Sequence, residues 1–361
     1  MKSERLEFLK EFAYNVLTHN RLSGTKESEK VRRHIESFLK NNSCKYKKET
    51  FSVKKFIPKE AWLTVGEEKI RAVAYIGSKP IEKKAYVKRN YIEGDIALVP
   101  DLTKEKAIQA QQKGAVAIIT YRSEDKADAY VHGHDMGVGI PIVSIKREDF
   151  PKVEDSEVIL KVRSEERVIK GVNLFMELGK GPVIYMVSHM DTVAEIHGAI
   201  CNGIGFLLLL FLYEELKENY NLPYRLRFLI TDCGELGMEG VKFHLRSGVK
   251  HTFYCINLEG IGWHNPVVVY KDRAGYNGER INEMFYRHLQ DMKMDIDFCT
   301  VDELEGEHLP FKELGIQTLY LSSHPFTLRH TIYDNYDAIS WDHVAMWYEV
   351  ILSFLRRFHK L

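Results

Sequence analysis

A histidine and an aspartate two positions apart end an apolar run in the segment VIYMVSHMDTV. Residues i and i+2 of a strand project to the same side, so Asp191 can orient the His189 ring while the other ring nitrogen binds a metal ion. Glu235 and Glu259 follow two further apolar runs, and His330 lies in a late loop. Two imidazoles and two carboxylates form a donor set that suits zinc. These residues therefore predict a metal centre.

The elements that must position these residues alternate between strands and helices from about residue 168. Apolar runs predict strands, and longer segments between them predict helices; the strands are 183–187, 225–230, 253–258, 267–270 and 318–321, and the helices 205–218, 240–247, 278–292 and 342–358. Such alternation predicts an α/β fold with a mainly parallel sheet covered by helices. Ligands bind such sheets beyond the carboxyl ends of the strands, where the candidate donors fall.

Residues 57–165 are rich in short β-type runs and predict a separate β-rich domain inserted into a catalytic domain made of residues 1–56 and 166–361. The segments GDIALV, EKAIQAQQKGAVAIITY and GIPIVSI resemble a protease-associated (PA) domain. His132 and His134 form an HxH pair in this insert. We expect the pair to be an ordinary glycine-rich loop rather than a metal site.

The order and spacing of six short motifs resemble the co-catalytic di-zinc exopeptidases, the zinc aminopeptidase and glutamate carboxypeptidase family. The motifs are HMD at 189–191, GAICNG at 198–203, GELGMEG at 234–240, NLEGIG at 257–262, EHLPF at 307–311 and HTIYDNYD at 330–337. The resemblance spans essentially the whole chain, and some members carry an inserted PA domain. It implies a fold of the zinc exopeptidase type.

The resemblance also implies roles for individual residues. His189 and Glu259 would bind the first zinc, and Glu235 and His330 would bind the second. Cys201 stands at the position of the ligand that bridges the two ions. Asp191, behind His189, and Glu235 are the predicted catalytic residues. His308 and Phe311 match a segment that lines the substrate pocket.

Three positions depart from the family pattern. Cys201 replaces a bridging Asp, and a thiolate differs from a carboxylate in softness and bond length. Gly234 replaces the Glu that acts as general base, a role typically worth about 10²–10⁴-fold in rate. Glu307 replaces an Asp. Asp232, Glu239 or Glu235 could replace the lost base, although we expect simple loss, in which case Gly234→Glu with Cys201→Asp should raise activity.

The sequence thus predicts a zinc-dependent exopeptidase, most simply an aminopeptidase that releases N-terminal residues from peptides. One or two zinc ions are expected, and other divalent metals also suit the donors. The alternative from another class is a catalytically impaired relative that binds peptides or a partner. Cyclisation of N-terminal glutamine on one zinc is a third hypothesis, weakened by the missing acid/base carboxylate.

The amino-acid composition argues against some classes of binding partner and favours one compartment. Lysine and arginine number 51, equal to aspartate and glutamate, so the formal net charge is zero, which argues against nucleic-acid binding. The apolar run 204–212 is short for a membrane span, which needs about 20 residues, so no membrane association is expected. Five cysteines in no regular spacing predict a reducing, cytoplasmic location. A homo-oligomer is possible.

Overall fold

The chain was analysed as a computed structural model that describes residues 1–123, 129–218, 221 and 223–358. Fourteen strands are formed by the described residues: β1 (Lys47–Val65), β2 (Glu68–Ala74), β3 (Ile81–Lys88), β4 (Ile96–Leu98), β5 (Ala117–Thr120), β6 (Ile142–Ser144), β7 (Glu157–Leu178), β8 (Val183–His189), β9 (Arg225–Thr231), β10 (Thr252–Leu258), β11 (Pro266–Asp272), β12 (Gly275–Tyr276), β13 (Asp297–Thr300) and β14 (Gln317–Ser323).

Helices cover the strands in the pattern that the sequence predicts. Nine α-helices occur in the described ranges: α1 (Ser3–Leu17), α2 (Lys26–Asn41), α3 (Lys104–Gln112), α4 (Phe150–Val153), α5 (Ile204–Leu216), α6 (Glu239–Leu245), α7 (Glu279–Met292), α8 (Leu309–Glu313) and α9 (Trp341–Arg357). Short helical turns are formed by Arg147–Asp149, Ala199–Gly203 and Tyr336–Ala338. The apolar turn Ala199–Gly203 leads directly into α5.

The larger unit is built on a sheet in which β9, β8, β10 and β14 lie side by side and parallel. Antiparallel neighbours flank this centre, since β7 pairs with β9 and β11 with β14. The predicted α/β fold with a helix-covered sheet is confirmed, and the sheet is mixed at its edges. Because β8, β9 and β10 run in the same direction, their carboxyl ends meet at one edge.

The insert is joined to this sheet by a long two-stranded ribbon. Strands β1 and β7 pair from Lys47 with Phe175 to Thr64 with Ile159. The predicted domain boundaries lie opposite each other on this ribbon, where Ile57 pairs with Glu165. Beyond that point, β2, β6, β5, β4 and β3 close the insert around a small apolar core of its own.

Helix α5 packs in the main core against the sheet, α1, α2 and α9. Eleven of its thirteen residues are buried. The segment Ala199–Leu216 is apolar and long enough to cross a membrane by length and composition, but 89% of it is buried within the fold. This burial matches that of a core helix in a folded protein.

Candidate metal centre

Three donors converge at the carboxyl edge of the sheet because neighbouring parallel strands end there. His189 is the last residue of β8, and it pairs in register with Thr231 at the end of β9. Glu235 follows β9 after a short turn, and Glu259 directly follows β10. All three side chains are nearly inaccessible to solvent. The apolar strands thus place charged groups where water does not compete with a bound ion.

His189, Cys201 and Glu259 form a compact group that we call the first triad. One ligand atom from each lies within 4.8 Å of the others. The Nε2 atom of His189 is 3.3 Å from Glu259 Oε1, and Cys201 Sγ is 3.5 Å from the same oxygen. Burial raises the pKa of the Cys201 thiol to about 12. A metal ion would have to displace that proton, because the thiolate is the ligand form.

The loop that carries Cys201 is held by side chains outside the first triad. Asp334 accepts hydrogen bonds from the backbone nitrogens of Ile200 and Cys201, at 2.8 and 3.1 Å. The Asn202 amide donates to Ser188 Oγ at 2.8 Å and to Glu259 Oε2 at 3.2 Å. These bonds fix both Cys201 and the second oxygen of Glu259.

A second group, the second triad, consists of His134, Glu235 and His330. His330 Nε2 is 3.1 Å from Glu235 Oε1, and the rings of His134 and His330 meet edge to face with centroids 5.4 Å apart. Burial lowers the pKa of His330 to about 4, so its ring is neutral at pH 7. A neutral imidazole is the form that binds metal.

Asp191 connects the two triads through the backbone. Its carboxylate accepts hydrogen bonds from the amides of Gly234 and Glu235, at 2.8 and 3.0 Å. Its Oδ1 is 3.4 Å from His189 Nδ1, and its own carbonyl is 3.0 Å from the same nitrogen. Fully buried, Asp191 positions one donor of each triad.

The donors fit zinc in both triads. A catalytic zinc ion takes three protein ligands from histidine, cysteine and carboxylate and leaves one position open. Each triad offers three such atoms within 4.8 Å of one another. Among the described residues, both ring nitrogens of His134 are buried without a hydrogen-bond partner. Such unpaired nitrogens are costly in a folded protein unless they bind something.

Two family models match the sequence of this chain. The model of peptidase family M28 matches residues 173–355, and that of the PA domain matches residues 41–152. The chain belongs to peptidase family M28.

Several proteins named as aminopeptidases are similar to this M28 chain. It is 25% identical over 353 residues to "Aminopeptidase YwaD" of Bacillus subtilis (strain 168), covering 88% of this chain and 76% of the relative. Among solved structures, BSAP, a zinc aminopeptidase from Bacillus subtilis, superposes with a TM-score of 0.77 at 21% identity, covering 98% and 95% of the two chains. The aminopeptidase from Aneurinibacillus sp. strain AM-1 gives 0.76 at 19% identity, covering 98% and 93%. The solved structures establish the shared fold.

The M28 sequence pattern leaves Gly234 where a general base is expected, and the structure shows what occupies the space. A Cβ atom on Gly234 would lie 2.8 Å from Glu307 Oε1 and 2.7 Å from His189 Cβ, closer than real Cβ contacts. Glu307 is 1% exposed, and neither of its oxygens has a hydrogen-bond partner among the described residues. The longer side chain at 307 thus brings a carboxylate to the place left open at 234.

This crowding changes the expectation for Gly234→Glu. A larger residue at 234 collides with His189 of the first triad and with Glu307. The expected gain in activity from Gly234→Glu with Cys201→Asp therefore does not follow from the structure. Glycine at 234 is required by the close approach of the 234 loop to His189.

Asp232 and Glu239, which the sequence offers as replacement bases, are engaged elsewhere. Asp232 accepts hydrogen bonds from Ser23 Oγ at 2.6 Å and from the backbone nitrogens of Val172 and Cys233. Glu239 lies 3.7 Å from Lys55. Glu235, the third alternative, belongs to the second triad. The sequence analysis did not offer Glu307 as a replacement base. The signal for it was that Gly234 and Glu307 both depart from the family pattern.

His308 and Phe311, which the family resemblance assigns to the substrate pocket, lie in the core beside the candidate metal centre. Both are fully buried. His308 Nε2 is 2.9 Å from Asp272 Oδ2, and Phe311 packs on Tyr185 with ring centroids 4.7 Å apart. Glu307 lies just before α8 in the same motif, whereas the side chains of His308 and Phe311 pack in the core.

A cavity of about 440 Å³ lies between the insert and the larger unit, beside the second triad. The insert contributes Tyr75, Arg122 and His134, and the larger unit contributes Arg273, Glu305 and His330. A smaller cavity that contains His189, Glu235 and Glu307 shares His134, Glu305 and Arg329 with it. The volume lies within the usual range for small-ligand sites.

Proposed function

We propose that this M28 member is a zinc-dependent exopeptidase that acts as an aminopeptidase on peptides. The observation that carries the proposal is the position of the Glu307 carboxylate, which lies against Gly234 beside the first triad. Aminopeptidase is the activity in the name of a curated relative and in the titles of two similar solved structures. The alternative of an impaired peptide-binding relative depended on Gly234 and Cys201. Glu307 supplies a carboxylate beside Gly234, and Cys201 still offers a thiolate donor in the first triad.

The first triad (His189, Cys201 and Glu259) and the pair Glu235 and His330 would hold zinc, which when bound would supply Lewis acidity toward the scissile carbonyl. Glu307 accepts a proton from the attacking water while the water oxygen bonds to the carbonyl carbon. The carbon–nitrogen bond then breaks, and Glu307 returns the proton to the leaving amine. Asp191 holds the loop of Gly234 and the ring of His189 in place during both steps.

The electrostatics of Glu307 suit this role. Burial raises the pKa of the Glu307 carboxyl to about 8; His189 lowers that pKa, and the charges of Asp191 and Glu259 contribute to the rise. Positive charge in the first triad would lower this pKa toward neutrality. A proton-transfer group works best with a pKa near the working pH.

The proposal is tested by metal analysis combined with a peptide panel. We expect bound zinc, release of N-terminal residues from peptides with a free amino terminus, and no cleavage of the same peptides after N-acetylation. Chelation should abolish turnover, and zinc should restore it. Full metal loading with no turnover on the panel would support the peptide-binding alternative instead.

We also propose a reducing compartment for the protein. The support is that all five cysteines are free and four of them are buried. Mass spectrometry of the alkylated native protein should find no disulfide.

A further inference from the structure

We propose that His134, which lies in the inserted PA domain, is a ligand of the second metal ion together with Glu235 and His330. This inference rests on the proposed function, because it concerns the same metal centre. It makes the second ion a link between two domains. The sequence gives no reason to group His134 with residues about 100 and 200 positions later.

The first argument is the geometry of the second triad. Ligand atoms from His134, Glu235 and His330 lie within 4.8 Å of one another. His134 lies edge to face against His330, and Glu235 Oε1 is 3.1 Å from His330 Nε2. Three donors at this spacing surround a single point that an ion can occupy.

The second argument is that the ring nitrogens of His134 make no hydrogen bond to the described residues. Within the described ranges, neither of its buried nitrogens has a hydrogen-bond partner. Glu305 Oε2 is 3.6 Å from Nε2, beyond hydrogen-bond length. A half-buried ring with two buried, unpaired nitrogens beside a carboxylate and a second imidazole is suited to bind a cation.

The third argument is that the backbone around His134 is fixed directly to the other two ligands. The amide of His132 donates to the carbonyl of His330 at 2.8 Å, and the amide of Asp135 donates to the carbonyl of Glu235 at 2.9 Å. The Asp135 carboxylate also pairs with Lys55 Nζ at 2.7 Å. The segment is thus held on both sides of His134, which sets the ring toward the pair.

The chemistry of the centre supplies a reason for this third ligand. The structure groups Cys201 with His189 and Glu259, and among described residues the second group does not include it. Glu235 and His330 alone would leave the second ion with two protein ligands. His134 restores the three that a zinc site of this kind uses.

The test compares His134→Ala with His132→Ala in the full chain, stripped of metal and titrated with cobalt(II). Cobalt reports the two sites separately, because only the first triad contains a thiolate that gives a sulfur-to-metal charge-transfer band. We expect two ions in the wild type and in His132→Ala. In His134→Ala the thiolate band should remain, while affinity for the second ion falls by about 100-fold or more. Mutation of a residue that only supports a metal ligand typically lowers metal affinity by about 10–100-fold, and loss of a ligand should cost at least as much.

Amide hydrogen exchange provides a second test that does not depend on counting bound ions. Zinc should slow amide hydrogen exchange in the 131–137 segment of the wild type and of His132→Ala, but not of His134→Ala. Equal unfolding midpoints of the metal-free proteins would show that both variants fold.

The outcomes separate this inference from the proposed function. Two ions of unchanged affinity in His134→Ala overturn the inference and leave the exopeptidase intact. A wild type that binds one ion, with the thiolate band, also overturns it, because no second site then exists. A wild type that binds no divalent ion overturns both.

Discussion

The first and second triads differ in how far apart in the fold their donors arise. In the first, His189, Cys201 and Glu259 all belong to the larger unit and are 5%, 1% and 2% exposed. In the second, Glu235 and His330 meet His134 of the insert, whose side chain is 19% exposed. The first is therefore built by one sheet and its loops, whereas the second is complete only when two domains are docked.

This difference shows that one candidate metal centre can combine donors placed by a single sheet with donors placed by an interface between two domains. Parallel strands fix the first triad because their hydrogen-bonded register sets where each strand ends. The second triad depends on a few contacts across an interface, and such contacts are weaker than a sheet. We expect changes near the first triad to affect chemistry most and changes at the interface to affect only the second ion.

The largest effect is expected for Glu307→Gln, beside the first triad. Removing the proton-accepting carboxylate should lower kcat by about 10²–10⁴-fold while bound zinc stays the same, because Glu307 is in neither triad. Steady-state kinetics and metal analysis measure the two quantities. Glu303→Gln, an exposed neighbour, is the matched control. An unchanged kcat for Glu307→Gln would remove Glu307 from the mechanism.

Cys201→Ser tests whether the two triads are independent. Replacing the soft thiolate should weaken binding at the first triad by about 10–100-fold and leave the second ion unaffected. Zinc titration of the metal-free protein measures both affinities, and Cys299→Ser controls for loss of a thiol elsewhere. Equal weakening at both sites would instead show that Cys201 bridges the two ions, as the family resemblance implies.

Gly234→Ala tests how tightly the first triad is packed. The added Cβ meets His189 and Glu307, so it should reduce the free energy of unfolding by about 1–3 kcal/mol and disturb first-triad binding. Denaturant unfolding of the metal-free protein measures the first effect. Gly139→Ala, where the Cβ meets only the end of the Gln111 side chain, should stay within about 0.5 kcal/mol. Wild-type stability for Gly234→Ala would contradict the crowding.

The smallest effect is expected for Lys55→Met at the interface. Loss of the partly buried ion pair with Asp135 should weaken the contact between the insert and the larger unit by about 1 kcal/mol. Affinity for the second ion alone should therefore fall several-fold, as measured by isothermal titration calorimetry. Lys59→Met removes an exposed pair with Glu165 and is expected to change neither site. Weakened binding at the first triad would show that the two sites are coupled.

The sequence predicted the elements of the larger unit well, because strongly apolar runs with polar ends specify buried strands. The bounds of β8, β9, β10 and β14 agree with the sequence prediction to within two residues. It also placed His189, Glu235, Glu259 and His330 in one region. It did not show that the side chains of His308 and Phe311 are buried in the core, since a motif shows which segment lies near a site but not which side chains face it.

By itself, the sequence determined that donors for a metal centre collect at one edge of a parallel sheet, since local hydrophobic pattern sets where strands begin and end. Only the tertiary structure decided that His134 of the insert joins Glu235 and His330, and that Glu307 occupies the space beside Gly234. Both depend on approaches of a few ångströms between segments far apart in the chain. Such approaches follow from how whole domains pack, which no local pattern of residues encodes.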